Sequence, residues 1–299
     1  MKKVVYIGNF IPKHSTETYI ARTFEDIGWE VIRCQEDMLN IKTAIEESKD
    51  ADFLLWTRTW LEKQNEVKQI LDKINIPTVT LHLDLYFGLD REPHLDKELF
   101  WKTDYVFTAD GGHQKEFKAK GINHYFLSPG VYKPECYEGK HKSKYAYDVC
   151  FLGSYDYHKE YTYRQKLIKW LDENFNFHLF THSDRIWGNE KNDLFASAKI
   201  IMGDSCYSPN YFSDRIPETL GRGGFLIHPD VPGLNEEYPY YKTFIPYTHN
   251  DWSNLKKIID YYLVADDERN KIRKTGMDHV IENHTWINKI NNILKIIND

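Results

Sequence analysis

The stretch Asp148-Val149-Cys150-Phe151-Leu152-Gly153-Ser154 restarts, halfway along the chain, the pattern with which the chain opens, Val4-Val5-Tyr6-Ile7-Gly8-Asn9. Each is a short apolar run closed by a glycine and a small polar residue. Apolar residues at successive positions, rather than at alternate ones, mark a strand buried on both faces. After the first run, Ser15 or Thr16 is placed to cap an amphipathic helix whose apolar positions include Tyr19, Ile20, Phe24 and Ile27, and Gly28 is placed to end it. Strand signals recur at 30–34, 53–56, 77–83, 105–108 and 125–127, with helical segments at 41–49, 66–74 and 112–120 among them. Such alternation indicates a parallel sheet covered on both faces. Right-handed crossovers make it Rossmann-like.

The texture changes between 128 and 147. Pro129-Gly130, Pro134 and the polar residues 138–144 carry neither period, so 131–147 reads as a linker. Its run Lys140-His141-Lys142-Ser143-Lys144 has two readings, a solvated connector or a phosphate-facing patch. From 148 onward, strands are read at 148–152, 177–180, 199–202 and 225–228. Helices are read at 162–174, 192–198, 216–220, 252–264, 267–283 and 285–298. The expected fold class is therefore α/β, with two Rossmann-like domains facing across a cleft. The first domain covers 1–130 and the second 148–284, and a last helix over 285–299 is expected to pack back toward the first. A length of 299 residues suits two such domains.

Hydrophobic residues make up 41% of the chain and charged residues 28%, which describes a packed protein. A net charge of −6 argues against a generally basic nucleic-acid surface. Cys34, Cys136, Cys150 and Cys206 form no C-x-x-C pair, so neither a zinc site nor a disulfide framework is expected. Met1-Lys2-Lys3 leads straight into the first strand without a signal core, and no stretch is apolar for long enough to span a bilayer. These features set the expected compartment as the cytoplasm.

Sites in open parallel sheets form at the carboxyl ends of strands. The richest such place is Ser213-Asp214-Arg215-Ile216-Pro217-Glu218-Thr219-Leu220-Gly221-Arg222-Gly223-Gly224. A polar loop enters a helix here, and Pro217 suits its first turn because no intrahelical bond is lost. Free N–H groups at that turn would favour an anion such as a diphosphate. Arg215 can add a charge-assisted contact, and the Glu218 carboxylate can accept both hydroxyls of a ribose. The competing reading has Arg215 and Glu218 paired with each other.

Residues 148–154, D-V-C-F-L-G-S, together with 213–220, S-D-R-I-P-E-T-L, and Gly223-Gly224-Phe225 resemble the C-terminal lobe of CgeB-like (spore-maturation-protein-like) glycosyltransferases. These belong with the transferases of GT-B architecture that use nucleoside-diphosphate sugars. The resemblance extends through Pro232-Gly233-Leu234, residues 251–263 and His284-Thr285-Trp286, and reaches the first half only by strand order. It implies that Glu218 holds the donor ribose, that Gly153-Ser154 forms a loop against the diphosphate, and that Arg215 lies near phosphate or sugar, flanked by Ser213 and Asp214. The turn after residues 177–180 is the candidate base pocket, with His182, Arg185 or Trp187 on the nucleobase; Trp187 as ordinary core is the other reading. Many retaining relatives carry a second glutamate eight positions before the ribose-binding one. Asn210 stands there in this chain, with Asn210 or Asp214 as the substitutes.

In the first half, Thr80-Leu81-His82-Leu83-Asp84 closes a strand where related enzymes place a histidine beside the donor sugar. His82 and Asp84 are the candidate catalytic pair, His82 orienting a sugar hydroxyl and Asp84 accepting the proton of the acceptor hydroxyl. A core histidine and a turn former are the alternatives. Gly8-Asn9 would leave room for donor phosphate or acceptor, while Asp110 reads as a helix cap.

No G-x-x-x-x-G-K-[ST] and no G-x-G-x-x-G occurs, which excludes a P-loop and argues against a nicotinamide enzyme. No D-x-D pair stands at a strand end, so catalysis without metal or other cofactor is expected, the leaving diphosphate being stabilised by Arg215 and a helix end. The expected activity is glycosyl transfer, hexosyl or pentosyl, from a nucleoside-diphosphate sugar, UDP-sugar first. The default acceptor is a surface glycan or lipid-linked sugar, with a protein or a modified DNA base also open. A sugar-nucleotide epimerase or hydrolase, or a non-catalytic module, are the competing classes.

Overall fold

The structure is a computed structural model that describes residues 2–57, 64–95 and 97–299. Its contacts divide the chain into two compact units, Met1–Ser128 with Trp286–Asp299, and Pro129–Thr285.

The first unit runs β1 (Lys3–Gly8), α1 (Thr16–Asp26), β2 (Glu30–Gln35), α2 (Ile41–Ser48), β3 (Phe53–Thr57), α3 (Gln64–Leu71), β4 (Thr78–His82), β5 (Tyr105–Thr108), α4 (Gln114–Ala119) and β6 (His124–Phe126). Its six strands pair in parallel in the order β2-β1-β3-β4-β5-β6. The inner strands β1, β3 and β4 are buried along their whole length, whereas the edge strands β2 and β6 are mostly half-buried. Burial on both faces is why β1 and β3 read as apolar runs. Of the two possible caps for α1 it is Ser15 that acts, its hydroxyl accepting the Thr18 N–H at 3.1 Å.

The second unit runs β7 (Val149–Leu152), α5 (Tyr163–Asn174), β8 (Phe177–Phe180), α6 (Asn189–Ser197), β9 (Ile200–Met202), α7 (Arg215–Gly221), β10 (Leu226–Pro229), α8 (Leu234–Glu237), β11 (Ile245–Tyr247), α9 (Trp252–Val264) and α10 (Asp266–Asn283). The strands are again all parallel, in the order β11-β10-β9-β7-β8. From β7 the chain moves to one side, to β8, and then returns to the other, to β9. The gap between the loops after β7 and β9 is therefore a topological switch point, where ligands of such sheets bind. The closing helix α11 (Trp286–Asn298) belongs to the first unit, where it packs on α1, and its buried Lys289 Nζ donates to Ser128 Oγ at 2.7 Å.

Two elements are absent from the sequence reading. α8 is a single turn, and β11 is the three residues Ile-Pro-Tyr. A proline speaks against a strand, but β11 is an edge strand, where a missing donor can face away from the ladder.

Residues 131–147, read as a linker from composition, lie along α6. Asn192 Nδ2 donates to the carbonyls of Glu135 and Tyr137 at 2.9 and 2.7 Å. The Lys140 N–H donates to Asp193 Oδ1 at 2.7 Å and the Lys142 N–H to Ser197 Oγ at 2.8 Å. Lys142 Nζ bridges Asp193 (2.6 Å) and Glu190 (3.0 Å), and Lys144 joins it on Glu190. The ammonium groups of Lys142 and Lys144 are thus paired with the carboxylates of one helix. Backbone bonds to side chains leave no period in a sequence, which is why the segment looked unstructured.

Cys34, Cys136, Cys150 and Cys206 are all free thiols. Among the described residues no helix is long and apolar enough to cross a membrane.

Candidate functional site

At the switch point of the second sheet, a cavity of about 360 Å³ opens between the loop after β7, the turn after β8, α6 and the start of α7. Gly153, Ser154, His182, Trp187, Asp214, Arg215 and Glu218, singled out from sequence at three separate places, all line it. Arg185 and Ser213 do not. Arg185 is exposed and closes the turn after β8 in a left-handed conformation (φ 54°). The Ser213 hydroxyl accepts the Arg215 N–H at 3.3 Å and its carbonyl the Ile216 N–H at 3.1 Å.

Those two bonds correct one expectation. With Pro217 lacking an N–H, the donors at the first three positions of α7 are taken or missing, so the backbone of this turn is not a free anion cradle. Positive charge at the cavity comes from side chains instead, Arg215 and Lys191.

Arg215 is fixed from three sides. Its Nη1 donates to Asp204 Oδ1 at 2.9 Å, its Nη2 to the Leu152 carbonyl at 3.1 Å, and its Cζ lies 4.4 Å from the centre of the Phe151 ring. The competing reading, a pairing with Glu218, does not occur. Gly153 makes room for this arm. A Cβ on Gly153 would lie 2.6 Å from Arg215 Nη2, and its φ of +153° is one that other residues rarely adopt. The glycine of D-V-C-F-L-G-S is thus required by an arginine sixty-two positions further on.

Glu218 Oε2 accepts from Lys191 Nζ and from Arg222 Nε, both at 3.0 Å, while Oε1 has no hydrogen bond among the described residues. Burial alone would push this carboxyl up, but Arg222 and Lys191 together outweigh it and bring it down to about 2. The group is therefore an ionised acceptor at neutral pH with one oxygen committed and one available. Arg222, wholly buried, is held in turn by Asn192 Oδ1 at 2.6 Å, by the Gly188 carbonyl at 3.4 Å and by Glu135.

Opposite these charges stand rings and a hydroxyl. Trp187 is 39% exposed, which excludes the core reading, and meets His182 edge to face with centroids 5.3 Å apart. Thr219 Oγ1 is buried in the cavity wall without a hydrogen-bond partner among the described residues. The turn is set by a capping box in which Asp184 accepts the Thr181 N–H at 2.6 Å.

Asn210 lies outside the cavity lining, in a left-handed conformation (φ 51°), and its amide occupies the space a Cβ on Gly233 would need. Asparagine tolerates that conformation better than glutamate does, so this position serves the loop. Of the two substitutes it is Asp214 that lines the cavity.

The remaining sequence candidates belong to the first unit. His82 is buried at the end of β4, edge-on to Tyr86 and Trp101 with centroids 6.0 and 5.7 Å away. Asp84 accepts from Arg91 Nη2 at 2.6 Å and from the Leu85 N–H at 2.9 Å. Gly8 packs on Glu17, and Asn9 Oδ1 accepts from Gln35 Nε2 at 3.2 Å. Asp110 does not act as the expected helix cap: its side chain makes no capping bond, its Oδ2 instead accepting the N–H groups of Tyr86 and Phe87, each at 3.3 Å, and its Oδ1 meeting His113 Nδ1 at 2.6 Å.

Lys191, Arg222, Arg164 and Asp204 were not singled out beforehand. Only Arg222 left a usable signal, its four-residue spacing from Glu218 on one helix. The others come from α5, α6 and a loop with nothing local to mark them. Among the described residues no group of three or more His, Cys, Asp or Glu is placed to hold a metal ion.

Two parallel-sheet α/β units with a charged cavity at a switch point match the GT-B class of glycosyltransferase structures. An alpha-glucosyltransferase in complex with UDP superposes with a TM-score of 0.71 at 11% identity, covering 100% of both chains. Anabaena Alr3699/HepE in complex with UDP and glucose gives 0.66 at 12%, again with 100% of both chains. An alpha-glucosyltransferase with UDP and a 13-mer DNA containing a HMU base gives 0.70 at 11%, covering 100% of this chain and 99% of that one. The chain belongs to the Glycosyl transferase-like family, whose model matches residues 140–295, more than half of its length. No curated protein matches it in sequence.

Proposed function

We propose that the protein transfers a sugar from a nucleoside-diphosphate sugar, UDP-sugar first, to an acceptor hydroxyl, without a metal ion. One observation carries this reading: Glu218 and Arg215, one ionised carboxylate and one fixed guanidinium, line a single cavity beside exposed rings. Glu218 Oε1 accepts the ribose hydroxyls, Arg215 meets the diphosphate, and the base lies against His182 and Trp187. The structural neighbours solved with UDP favour uridine as that base. As the sugar–phosphate bond breaks, negative charge grows on the departing diphosphate, and a guanidinium already in place stabilises it without reorganisation. That is the task a metal performs in other transferases.

The transferred sugar is a hexose in this reading, and the likeness of S-D-R-I-P-E-T-L to CgeB-like transferases supports that branch of the family. On the acceptor side, Asp84 receives the proton of the attacking hydroxyl, with Arg91 fixing its carboxylate, and His82 orients the sugar. The acceptor is a surface glycan or lipid-linked sugar, reached from the cytoplasm. A modified DNA base is the second acceptor reading, favoured by the neighbour solved with HMU-containing DNA.

Titration calorimetry with UDP, GDP and TDP tests the donor half. Binding of UDP that falls at least tenfold in Glu218→Ala supports the reading. Binding of none of the three, or a variant indistinguishable from wild type, contradicts it. Turnover that persists in EDTA supports the metal-free mechanism, and donor consumption without any acceptor would point to an epimerase or hydrolase instead.

A further inference from the structure

Behind Arg215 lies a second arginine. Arg164 on α5 grips Asp204 with both arms of its guanidinium, Nε to Oδ2 at 2.7 Å and Nη2 to Oδ1 at 3.1 Å. Arg215 Nη1 shares the same Oδ1 at 2.9 Å. Arg164 Nη1 also reaches the Ser154 carbonyl at 3.3 Å and hydroxyl at 3.4 Å, on the loop that follows β7. The Phe151 ring touches both guanidiniums, with centroid distances of 4.4 Å to Arg215 and 5.5 Å to Arg164. Side-chain exposures are 7% for Arg164, 6% for Asp204 and 12% for Arg215. Of the three, only Arg215 lines the cavity.

Two guanidiniums against one carboxylate leave a surplus of one positive charge. A buried ion pair is favourable when its geometry is good and its remaining donors are satisfied, and the two-armed Arg164–Asp204 contact meets both conditions. Asp204 is thus already neutralised from behind. We infer that Arg164 is a positioning residue for the anion arm of this cavity: by balancing Asp204 it keeps that carboxylate from cancelling the charge Arg215 offers a diphosphate, and by bonding Ser154 it sets the loop against which that diphosphate lies. The inference rests on the donor reading above and adds the origin of the site's selectivity for phosphate. Without Arg164, Asp204 would pair one-to-one with Arg215 and cancel the charge the ligand needs.

The test compares UDP with uridine, which shares base and ribose but carries no phosphate. The readout is the ratio of the two affinities by calorimetry. Arg164→Met is expected to shrink that ratio roughly tenfold while uridine affinity stays within about twofold. The double variant Arg164→Met/Asp204→Asn restores the net charge of one and is expected to recover the ratio to within about threefold. A purely structural role for Arg164 would lower stability and weaken both ligands together, leaving the ratio unchanged. Should Arg164→Met fail to fold, Arg164→Lys, which keeps the charge and loses the fork, is expected to keep the ratio within about threefold. A wild type that does not prefer UDP to uridine overturns the donor reading and this inference with it. A wild type that prefers UDP, with the full ratio retained in Arg164→Met, lost in the folded double variant or lost in Arg164→Lys, overturns the inference alone.

Discussion

Arg222 Nε and Glu218 Oε2 lie 3.0 Å apart, Glu218 on α7 and Arg222 four residues on at its C-cap, with the arginine wholly buried and the glutamate on the cavity wall. The arginine has no exposure to the cavity, so its role is to hold the carboxylate. Arg222→Met leaves Glu218 and Glu135 short of a buried cation. Removing one partner of such a pair costs about 3–5 kcal/mol. The urea midpoint should fall accordingly, and a shift near zero would show that the network bears little weight.

Gly153→Ala places a methyl group 2.6 Å from Arg215 Nη2 and holds a β-carbon at a φ of +153°. The guanidinium is the softer of the two obstacles and should be displaced from Asp204 and Phe151. UDP affinity is expected to fall on the order of tenfold, the worth of one charge-assisted contact. Calorimetry checks it, and unchanged affinity in a folded variant would remove Arg215 from the site.

Trp187→Ala separates a ligand contact from a core residue. At 39% exposure its loss should cost little stability, whereas truncating a core tryptophan costs about 3–5 kcal/mol. The melting temperature should hold while UDP affinity weakens several-fold. The reverse pattern, a large loss of stability with affinity retained in the folded fraction, would reassign the ring to packing.

Acid should destabilise the protein in two stages. Burial holds His228 down at about 4, below its ordinary 6.5, so the unfolded chain takes up its proton first and stability declines as pH falls from 6.5 toward 4. Glu218, held at about 2 against an ordinary 4.5, contributes stability that is complete above pH 4.5 and lost as pH falls toward 2. Urea midpoints measured at pH 7.5, 5.5 and 4 should fall at each step. A flat profile down to pH 4 would contradict the burial of His228.

The two sheets were legible because inner strands such as β1, β3 and β7 are buried on both faces and appear as apolar runs, Val4–Val5–Tyr6–Ile7 among them. What escaped were segments without a hydrophobic period. β11 contains a proline, and residues 131–147 are fixed to α6 through Asn192, Asp193 and Ser197. Most of the cavity was legible too, since loops at the ends of parallel strands converge by topology. Lys191, Arg164 and Asp204 were not, because each acts through a partner distant in sequence. The positive end of α7 was over-read, as Ser213 already takes two of its donors.

The most direct test is a crystal structure of the protein soaked with UDP. The account predicts the ribose hydroxyls within hydrogen-bond distance of Glu218 Oε1, the diphosphate against Arg215 and the Gly153–Ser154 loop, and the uracil beside Trp187. Nucleotide bound elsewhere, or a cavity that stays empty at saturating UDP, would contradict it.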